Sequence, residues 1–219
     1  MKLLIASATQ AEVAPLLEKL SAKKVNEGNI FKADRKNISV DIMITGVGMV
    51  ATAFAMGKYF GENSCDAALN LGLAGSFNRA IELGSVVNIV QDHFAEIGAE
   101  DDEKFLSLKE MNLEGEAGVM NENEFRNPVL ELIPKVCGIT VNTVHGNEKS
   151  IEKVFAHFHP DTESMEGAAF LYACKRQNMA CAQVRAISNY VEKRNRAAWN
   201  IPVALEKLNS RAMEIINAF

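Results

Sequence analysis

The amino-acid sequence predicts an α/β protein with one three-layer αβα domain, residues 1–219, around a central mixed β-sheet. Short apolar runs of strand length alternate with longer segments of helical period along the chain, which is typical of a sheet with helices on its faces. With 219 residues, 48% hydrophobic and 23% charged, the chain can bury a large core. We find no repeat or low-complexity block, so a single domain is expected.

The first half of the chain is predicted to begin with a buried strand and an amphipathic helix. Residues 2–7 are largely apolar, and residues 12–23 carry apolar side chains on one helical stripe. Further strands are expected at 30–33, 39–45 and 67–71, and a helix of small and apolar residues at 49–60.

The second half continues this alternation around one irregular stretch. Residues 95–124 are acidic, rich in Asn and Gly and without clear periodicity, so we expect a long surface excursion rather than an interdomain linker. Apolar and β-branched runs predict strands at 85–90, 139–144 and 182–187, and helical periodicity predicts helices at 149–157, 165–176 and 202–218.

The charge balance restricts the class of ligand. The 28 acidic residues exceed the 23 basic ones and give a net charge of −5. This charge repels polyphosphate backbones and anionic surfaces, so we expect no nucleic-acid partner, no membrane partner and a small-molecule ligand. No apolar run reaches the ~18 residues of a membrane span, and the apolar N-terminal run is too short for a signal peptide.

Cysteine and histidine spacing gives no metal site. The four cysteines are scattered without CxxC spacing, which favours neither zinc binding nor a disulfide framework. The four histidines also lack metal-ligand spacing. We therefore predict a cytoplasmic protein without a bound metal.

A glycine pair follows the second of the strands expected at 30–45. Gly46-Val47-Gly48 precedes a helix and matches a degenerate dinucleotide-binding fingerprint. The acid that would bind a ribose in that fold belongs at the end of the next strand, whereas Asp66 precedes that strand. An NAD-binding oxidoreductase is therefore disfavoured, and Gly48 is expected to line a different small-molecule site.

Polar residues follow three of the predicted strands or begin the helices after them. Glu12 comes after the first strand, Glu166 is followed by small residues at a helix start, and Ser188-Asn189 follows a late buried strand. The carboxyl edge of an α/β sheet is its usual ligand crevice. Each residue also has an ordinary explanation, because acids stabilise first helical turns and Ser and Asn are common in turns and caps.

Taken in order, these segments resemble the purine nucleoside phosphorylase and nucleosidase family, in its branch of methylthioadenosine/S-adenosylhomocysteine nucleosidases and futalosine hydrolases. The resemblance covers nearly the whole chain, and within the branch residues 163–168 and 188–199 look most like futalosine hydrolases. It rests on Glu12, Thr45-Gly46-Val47-Gly48, Asn70-Leu71-Gly72-Leu73-Ala74-Gly75, Met165-Glu166 and Arg185-Ala186-Ile187-Ser188-Asn189.

This resemblance implies a nucleoside phosphorylase-like domain of the phosphorylase/hydrolase type, a nucleoside substrate, water as nucleophile and no cofactor. In it, Glu12 activates the water and Asn189 addresses the purine as the second catalytic residue. Glu166 holds the ribose hydroxyls, and Met165 packs beneath the sugar. The remaining substrate-binding residues are expected to be Gly48, Gly75 and Ser188.

Differences between this chain and the adenine-specific enzymes of this branch indicate which purine base the substrate carries. Those enzymes place Asp where this chain has Asn189, and an amide can donate to N7 without presenting a carboxylate to a 6-oxo group. We therefore expect hypoxanthine, released from futalosine in menaquinone biosynthesis. Residues 142–145 lack the base-stacking aromatic of those enzymes, so Phe77 and Tyr190 are only candidates for stacking.

Several alternatives stay open at this stage. A methylthioadenosine, S-adenosylhomocysteine or aminofutalosine nucleosidase is the nearest, followed by a non-catalytic nucleoside-binding protein. Arg194 and Arg196 lie near Trp199 and could begin a solvated helix or bind an acidic 5′ substituent. A phosphorylase is disfavoured because Arg79 is the one basic residue near the glycine-rich segments. The resemblance also implies a homodimer or a larger homo-oligomer, and residues 49–60 and the excursion at 95–124 are the candidate interfaces.

Overall fold

A central mixed sheet organises residues 1–25 and 29–219, the part of the chain that the computed structural model describes. Its strands, together with those of a separate hairpin, are β1 (Lys2–Ser7), β2 (Lys23–Lys24), β3 (Ile30–Arg35), β4 (Ile38–Ile44), β5 (Ala67–Ser76), β6 (Val86–Phe94), β7 (Gly98–Asp101), β8 (Lys104–Ser107), β9 (Gly118–Met120), β10 (Lys135–Thr140), β11 (Thr162–Ser164) and β12 (Cys181–Tyr190). The helices are α1 (Gln10–Lys19), α2 (Met49–Glu62), α3 (Glu148–Phe158), α4 (Gly167–Arg176) and α5 (Ile201–Asn217).

The strand order is β11-β10-β6-β12-β5-β1-β4-β3-β2, and β9 pairs with β6. The central pairs β4–β1, β1–β5 and β5–β12 are parallel, so the carboxyl ends of these strands meet at one edge. β11 pairs in parallel with β10 and antiparallel with β5, which closes β5, β12, β6, β10 and β11 into a ring. Most of the candidate site residues lie where this ring adjoins the open part of the sheet.

Both faces of the sheet are covered by helices. Alternate residues of β1 point to opposite sides: Leu3 and Ile5 pack in the cluster that contains residues of α1 and α5, whereas Leu4 and Ala6 pack with residues of α2 and α4. Strands buried on both faces are typical of parallel sheets covered by helices. The predicted three-layer αβα domain with a mixed central sheet is therefore confirmed.

The largest departures from the expected elements lie in the middle of the chain. The expected excursion at 95–124 is partly ordered into strands. It contains the separate hairpin β7–β8, and its strand β9 extends the sheet beside β6. The strand expected at 139–144 lies earlier, at Lys135–Thr140. β5 runs on to Ser76 through the glycine-rich segment that we expected to leave the sheet, and its glycines make room for side chains from β12.

No helix within the described residues is long and apolar enough to cross a bilayer. Over the same residues, no group of three or more His, Cys, Asp and Glu side chains is arranged to hold a metal ion.

Candidate active site

A pocket of about 390 Å³ opens at the carboxyl ends of β1, β5 and β12. It brings together six of the residues singled out from the sequence: Glu12, Gly75, Met165, Glu166, Ser188 and Asn189. These residues are far apart in the chain and meet because parallel strands end at a common edge. A larger cavity of about 460 Å³ lies between β7–β8 and α3, and no residue of the six lines it.

Glu12 combines both roles that the sequence suggested. It is the third residue of the first turn of α1 and closes a capping box with Thr9, whose backbone N–H and hydroxyl donate to Oε2 at 2.9 Å each. The backbone N–H of Leu73, on β5, donates to Oε1 at 3.1 Å. The carboxylate is thus held by the helix start and the central strand while it lines the pocket.

Glu166 lies 5% exposed just before α4 and is held from two sides. The backbone N–H of Gly48 donates to Oε1 at 3.0 Å, and Arg185 Nη1 lies 3.4 Å from Oε2. Gly48 has a φ of +95°, in the region that favours glycine. Gly48 is not among the residues that line the pocket, so in this structure its amide holds the carboxylate that does.

Arg185 is a functional neighbour that the sequence analysis quoted without giving it a role. Its side chain is 1% exposed on β12. Its Nη2 donates to Asn70 Oδ1 at 2.6 Å and its Nε to Gln183 Oε1 at 3.2 Å, while Nη1 also reaches the carbonyl of Leu73 at 3.4 Å. Arginine is seldom fully buried without partners. The sequence feature that could have identified Arg185 is therefore its place inside an otherwise apolar strand.

The polar network continues behind the pocket to Asp92 on β6. Gln183 Nε2 donates to Asp92 Oδ2 at 3.0 Å, and Thr140 Oγ1 donates to Oδ1 at 2.9 Å. Burial raises the pKa of Asp92 to about 6, although these two hydrogen bonds act to lower it. A side chain at Gly167 would collide with both Gln183 Oε1 and Asp92 Oδ2. The glycine at the start of α4 therefore makes room for this network.

Asn189 lies where the pocket meets a smaller chamber that Glu12 does not line, next to Gly75 in the register of β12 and β5. Its Oδ1 accepts from the hydroxyl of Ser188 at 2.8 Å, and its Nδ2 donates to the carbonyl of Tyr190 at 3.0 Å. An amide nitrogen carries two hydrogens. One N–H is therefore left for a ligand.

A small chamber of about 60 Å³ adjoins the Asn189 end of the pocket. Trp199 lines both, and the Arg194 guanidinium lies 5.5 Å from its ring centre. Arg194 lines the chamber, whereas Arg196 packs against the same ring at 5.8 Å without lining either space. Of the two stacking candidates, Tyr190 borders the chamber and Phe77 packs on Phe155 instead.

The chamber also contains a pair that the sequence analysis missed. Glu163, on β11, lines both the pocket and the chamber and is 4% exposed. The backbone N–H and the ring Nδ1 of His145 both contact its carboxylate. The four histidines gave no metal spacing, and the partner of His145 lies 18 residues away in another element. No sequence signal marked this pair.

Comparison with known proteins places this arrangement in a family. A family model described as the phosphorylase superfamily matches residues 2–219. Futalosine hydrolase of Acidothermus cellulolyticus is 29% identical over 181 residues, which are 80% of this chain and 74% of that protein. Futalosine hydrolase of Thermus thermophilus is 30% identical over 171 residues, 75% of each chain. A 5′-methylthioadenosine/S-adenosylhomocysteine nucleosidase of Colwellia psychrerythraea is 28% identical over 210 residues, 88% of this chain and 85% of that protein.

Solved structures show the same fold at lower identity. Futalosine hydrolase of Helicobacter pylori has a TM-score of 0.82 at 14% identity, covering 100% of this chain and 98% of that one. A 5′-methylthioadenosine/S-adenosylhomocysteine nucleosidase of Campylobacter jejuni has a TM-score of 0.83 at 18% identity, with the same coverage. Since the family model spans nearly every residue, this chain belongs to the phosphorylase superfamily.

Proposed function

We propose that the protein hydrolyses the N-glycosidic bond of futalosine and releases hypoxanthine and dehypoxanthine futalosine, with water as nucleophile and without a cofactor. The observation that carries this proposal is the pair of carboxylates in one pocket, each fixed by a backbone N–H from another element: Glu12 by Leu73 and Glu166 by Gly48. The two futalosine hydrolases at 29% and 30% identity support the substrate.

The two carboxylates suit the chemistry of this reaction. Breaking an N-glycosidic bond develops positive charge on the sugar, as in glycoside hydrolysis. Glu12 accepts a proton from the attacking water and stabilises that charge, while the electron pair of the broken bond leaves with the purine, which takes up a proton from solvent to become hypoxanthine. Glu166 accepts hydrogen bonds from the ribose hydroxyls, with Met165 packed beneath the sugar. Arg185 and Gly48 keep Glu166 in place for this contact.

The same geometry argues against a dinucleotide cofactor. In a dinucleotide-binding fold the amides after the glycine-rich turn hold a pyrophosphate. Here the N–H of Gly48 donates to Glu166 instead. The glycine pair therefore serves the carboxylate of the pocket.

The choice of base rests on Asn189. Its remaining N–H can donate to N7 of the purine, and it presents no carboxylate to a 6-oxo group. This favours hypoxanthine over adenine and futalosine over methylthioadenosine. The Colwellia nucleosidase at 28% identity keeps a methylthioadenosine or S-adenosylhomocysteine nucleosidase as the second candidate.

A substrate panel tests the proposal. The protein is incubated with futalosine, inosine and methylthioadenosine, each with and without phosphate, and the free base is quantified. We expect hypoxanthine from futalosine at a rate that phosphate does not change. Faster release of adenine from methylthioadenosine would favour the second candidate, and a requirement for phosphate would indicate a phosphorylase.

We also propose that the protein works as a homodimer in the cytoplasm, in menaquinone biosynthesis. Val50 and Phe54 of α2 are 82% and 74% exposed, and Val47, just before this helix, lines the pocket. Large apolar side chains at such exposure favour a protein interface. Light scattering on Phe54→Glu tests this, with a monomer expected where the wild type is a dimer.

A further inference from the structure

A carboxylate and an imidazole face the end of the pocket that Asn189 occupies. The backbone N–H of His145 donates to Glu163 Oε1 at 3.0 Å, and the ring Nδ1 contacts Oε2. A carboxylate accepts hydrogen bonds and does not donate them, so this pairing assigns the hydrogen to Nδ1. One residue thus holds both oxygens of Glu163. Each oxygen keeps a lone pair for a ligand.

The strand register places Glu163 and Asn189 on either side of Gly75. Gly75 pairs with Glu163 of β11 on one side and with Asn189 of β12 on the other, so the three residues lie abreast. Two strand spacings separate the flanking Cα atoms by roughly 10 Å. A side chain at Gly75 would lie 3.0 Å from Val191 Cγ2 and 3.1 Å from Asn189 Nδ2. Gly75, Glu163 and Asn189 all line both the pocket and the chamber, so the amide and the carboxylate border the same space.

An amide and a carboxylate in this arrangement match the hydrogen-bonding pattern of one base class. A 6-oxopurine carries a hydrogen on N1 and acceptors at O6 and N7, whereas a 6-aminopurine has an unprotonated N1. With N7 toward Asn189, the N1 side of the ring turns toward Glu163. A carboxylate accepts from N1–H, and it repels the lone pair of an unprotonated N1.

We propose that Glu163 is a second base-specificity residue, which accepts the N1–H hydrogen bond of a 6-oxopurine, and that His145 is its positioning residue. The inference rests on the proposed function, since it concerns the base of the same substrate. With this role, the Glu163 carboxylate disfavours adenine. Specificity against adenine then comes from Glu163 as well as from Asn189.

Glu163→Gln is the substitution that tests the carboxylate. Gln has the same shape, its Oε1 can accept from the backbone N–H of His145, and its amide can donate to Nδ1 once His145 takes the other tautomer. The free amide hydrogen can then donate to N1 of adenine. Calorimetry measures binding of hypoxanthine, adenine and 1-methylhypoxanthine, and assays give kcat/KM for futalosine and its 6-amino analogue.

The expected result is a change in base preference. We expect Glu163→Gln to shift the hypoxanthine-to-adenine affinity ratio toward adenine by about tenfold or more, because the variant no longer leaves a mismatched polar group unpaired. The kcat/KM ratio should shift likewise. Glu192→Gln is the matched control. Glu192 lines the same chamber but pairs with Arg79 at 2.6 Å, so the hypoxanthine-to-adenine affinity ratio of this variant should stay at the wild-type value.

His145 variants separate positioning from a general structural role. His145→Ala frees Glu163 and should reduce the preference for hypoxanthine, with the change in KM rather than kcat. His145→Asn keeps a side-chain N–H for Oε2 and should restore the preference. A loss that Asn does not rescue would contradict the positioning role.

The outcomes distinguish this inference from the proposed function. If wild type hydrolyses futalosine but Glu163→Gln keeps the wild-type ratio, the role of Glu163 is overturned and the function stands. If wild type neither hydrolyses futalosine nor binds hypoxanthine, both are overturned. Should Glu163→Gln fail to fold, wild type decides alone: equal affinity for hypoxanthine and 1-methylhypoxanthine overturns the inference, and a loss of about tenfold with the methylated base supports it.

Discussion

The guanidinium of Arg185 occupies the space that a side chain at Gly72 would fill. A Cβ at residue 72 would lie 2.2 Å from Arg185 Nη1 and 3.1 Å from Glu12 Oε1. Nη1 in turn contacts Glu166, and the neighbouring Leu73 donates to Glu12. One glycine in β5 therefore allows both pocket carboxylates to keep their supports.

Gly72→Ala is expected to damage activity and stability together. The added methyl group forces Arg185 away from Glu166, since the clash is with a buried side chain that Asn70 and Gln183 hold in place. Misplaced reacting groups cost about a hundredfold in rate, and overpacking costs about 1–3 kcal/mol of unfolding free energy. We would measure kcat and Tm. Gly146→Ala is the control, because its Cβ would make only an ordinary contact with Arg194 at 3.5 Å; wild-type kcat in Gly72→Ala would refute this account.

Glu12→Gln is expected to lower kcat by about a hundredfold or more while substrate binding is retained, because the amide cannot take a proton from water. Gln is accepted at this position of a capping box, so α1 should remain intact. Single-turnover kinetics and a binding titration separate the two effects. Glu18→Gln, an exposed change in the same helix, should behave as wild type. Near-normal turnover in Glu12→Gln would remove its role as general base.

Much of the site followed from the sequence, and the reason is the parallel sheet. Glu12 and Asn189 come at or near the carboxyl ends of β1 and β12, the two parallel neighbours of β5, so their convergence could be expected from the parallel sheet. The family, the fold and the enzyme class, a hydrolase of N-glycosyl bonds, are confirmed by the family model and by relatives that match three quarters or more of the chain.

The supporting network was beyond sequence reasoning. Asp92, Gln183 and Arg185 are joined through antiparallel pairing of β6 with β12, and no local pattern specifies that register. Glu163 and His145 meet because β11 pairs with β10 and the segment that contains His145 follows β10 directly. Such contacts depend on the three-dimensional path of the chain rather than on spacing within it.

The buried carboxyl group of Asp92 is expected to make the folded protein less stable as the pH rises. Burial raises its pKa from 3.8 to about 6 in the folded protein, so between these values the unfolded chain releases a proton that the folded protein keeps. The contribution of Asp92 to stability therefore falls as pH rises from about 4 to 6 and is constant above, a loss of roughly 3 kcal/mol at 1.36 kcal/mol per pH unit. Denaturant unfolding of wild type and Asp92→Asn across this range measures it.

The comparison with Asp92→Asn uses the slope and not the absolute stability. The Asn amide must turn one N–H toward donors from Gln183 or Thr140, which lowers stability at every pH. The difference in unfolding free energy between wild type and Asp92→Asn should nevertheless shift by roughly 3 kcal/mol in favour of the variant as the pH rises from 4 to 6. Asp101→Asn, on the exposed hairpin, should keep the wild-type slope. Parallel profiles for wild type and Asp92→Asn would show that Asp92 does not titrate in this range.

Arg194 and Arg196 are expected to differ in how much each contributes to binding an acidic 5′ substituent. If the guanidinium of either residue pairs with the aryl carboxylate of futalosine, replacing that arginine by Gln should raise the KM for futalosine and leave the KM for inosine unchanged. Arg194 borders the chamber that also contains Asn189, whereas Arg196 only packs on Trp199. Steady-state kinetics on both substrates separate the cases: an equal rise in KM for futalosine and inosine would assign Arg194 to the base or the fold of the chamber.

Asn189→Asp is expected to move base preference from 6-oxo toward 6-amino purines. The new side chain has no N–H for the carbonyl of Tyr190, which Asn189 Nδ2 contacts at 3.0 Å, so two acceptors face each other until the carboxyl is protonated. The ionised form repels O6 of hypoxanthine and accepts from the amino group of adenine, and the protonated form donates to N7.

The measurement is the ratio of kcat/KM for futalosine to that for its 6-amino analogue, in wild type and Asn189→Asp, across pH. We expect the ratio to fall by about tenfold or more at neutral pH, since a mismatched buried polar group costs about 1–3 kcal/mol. The difference should shrink as pH falls and the new carboxyl is protonated, because a protonated Asp donates to N7 as Asn does. A 7-deaza analogue isolates this edge of the base: if it loses as much rate in wild type as in the variant, Asn189 does not contact N7, and the preference for hypoxanthine is set on the Glu163 side of Gly75.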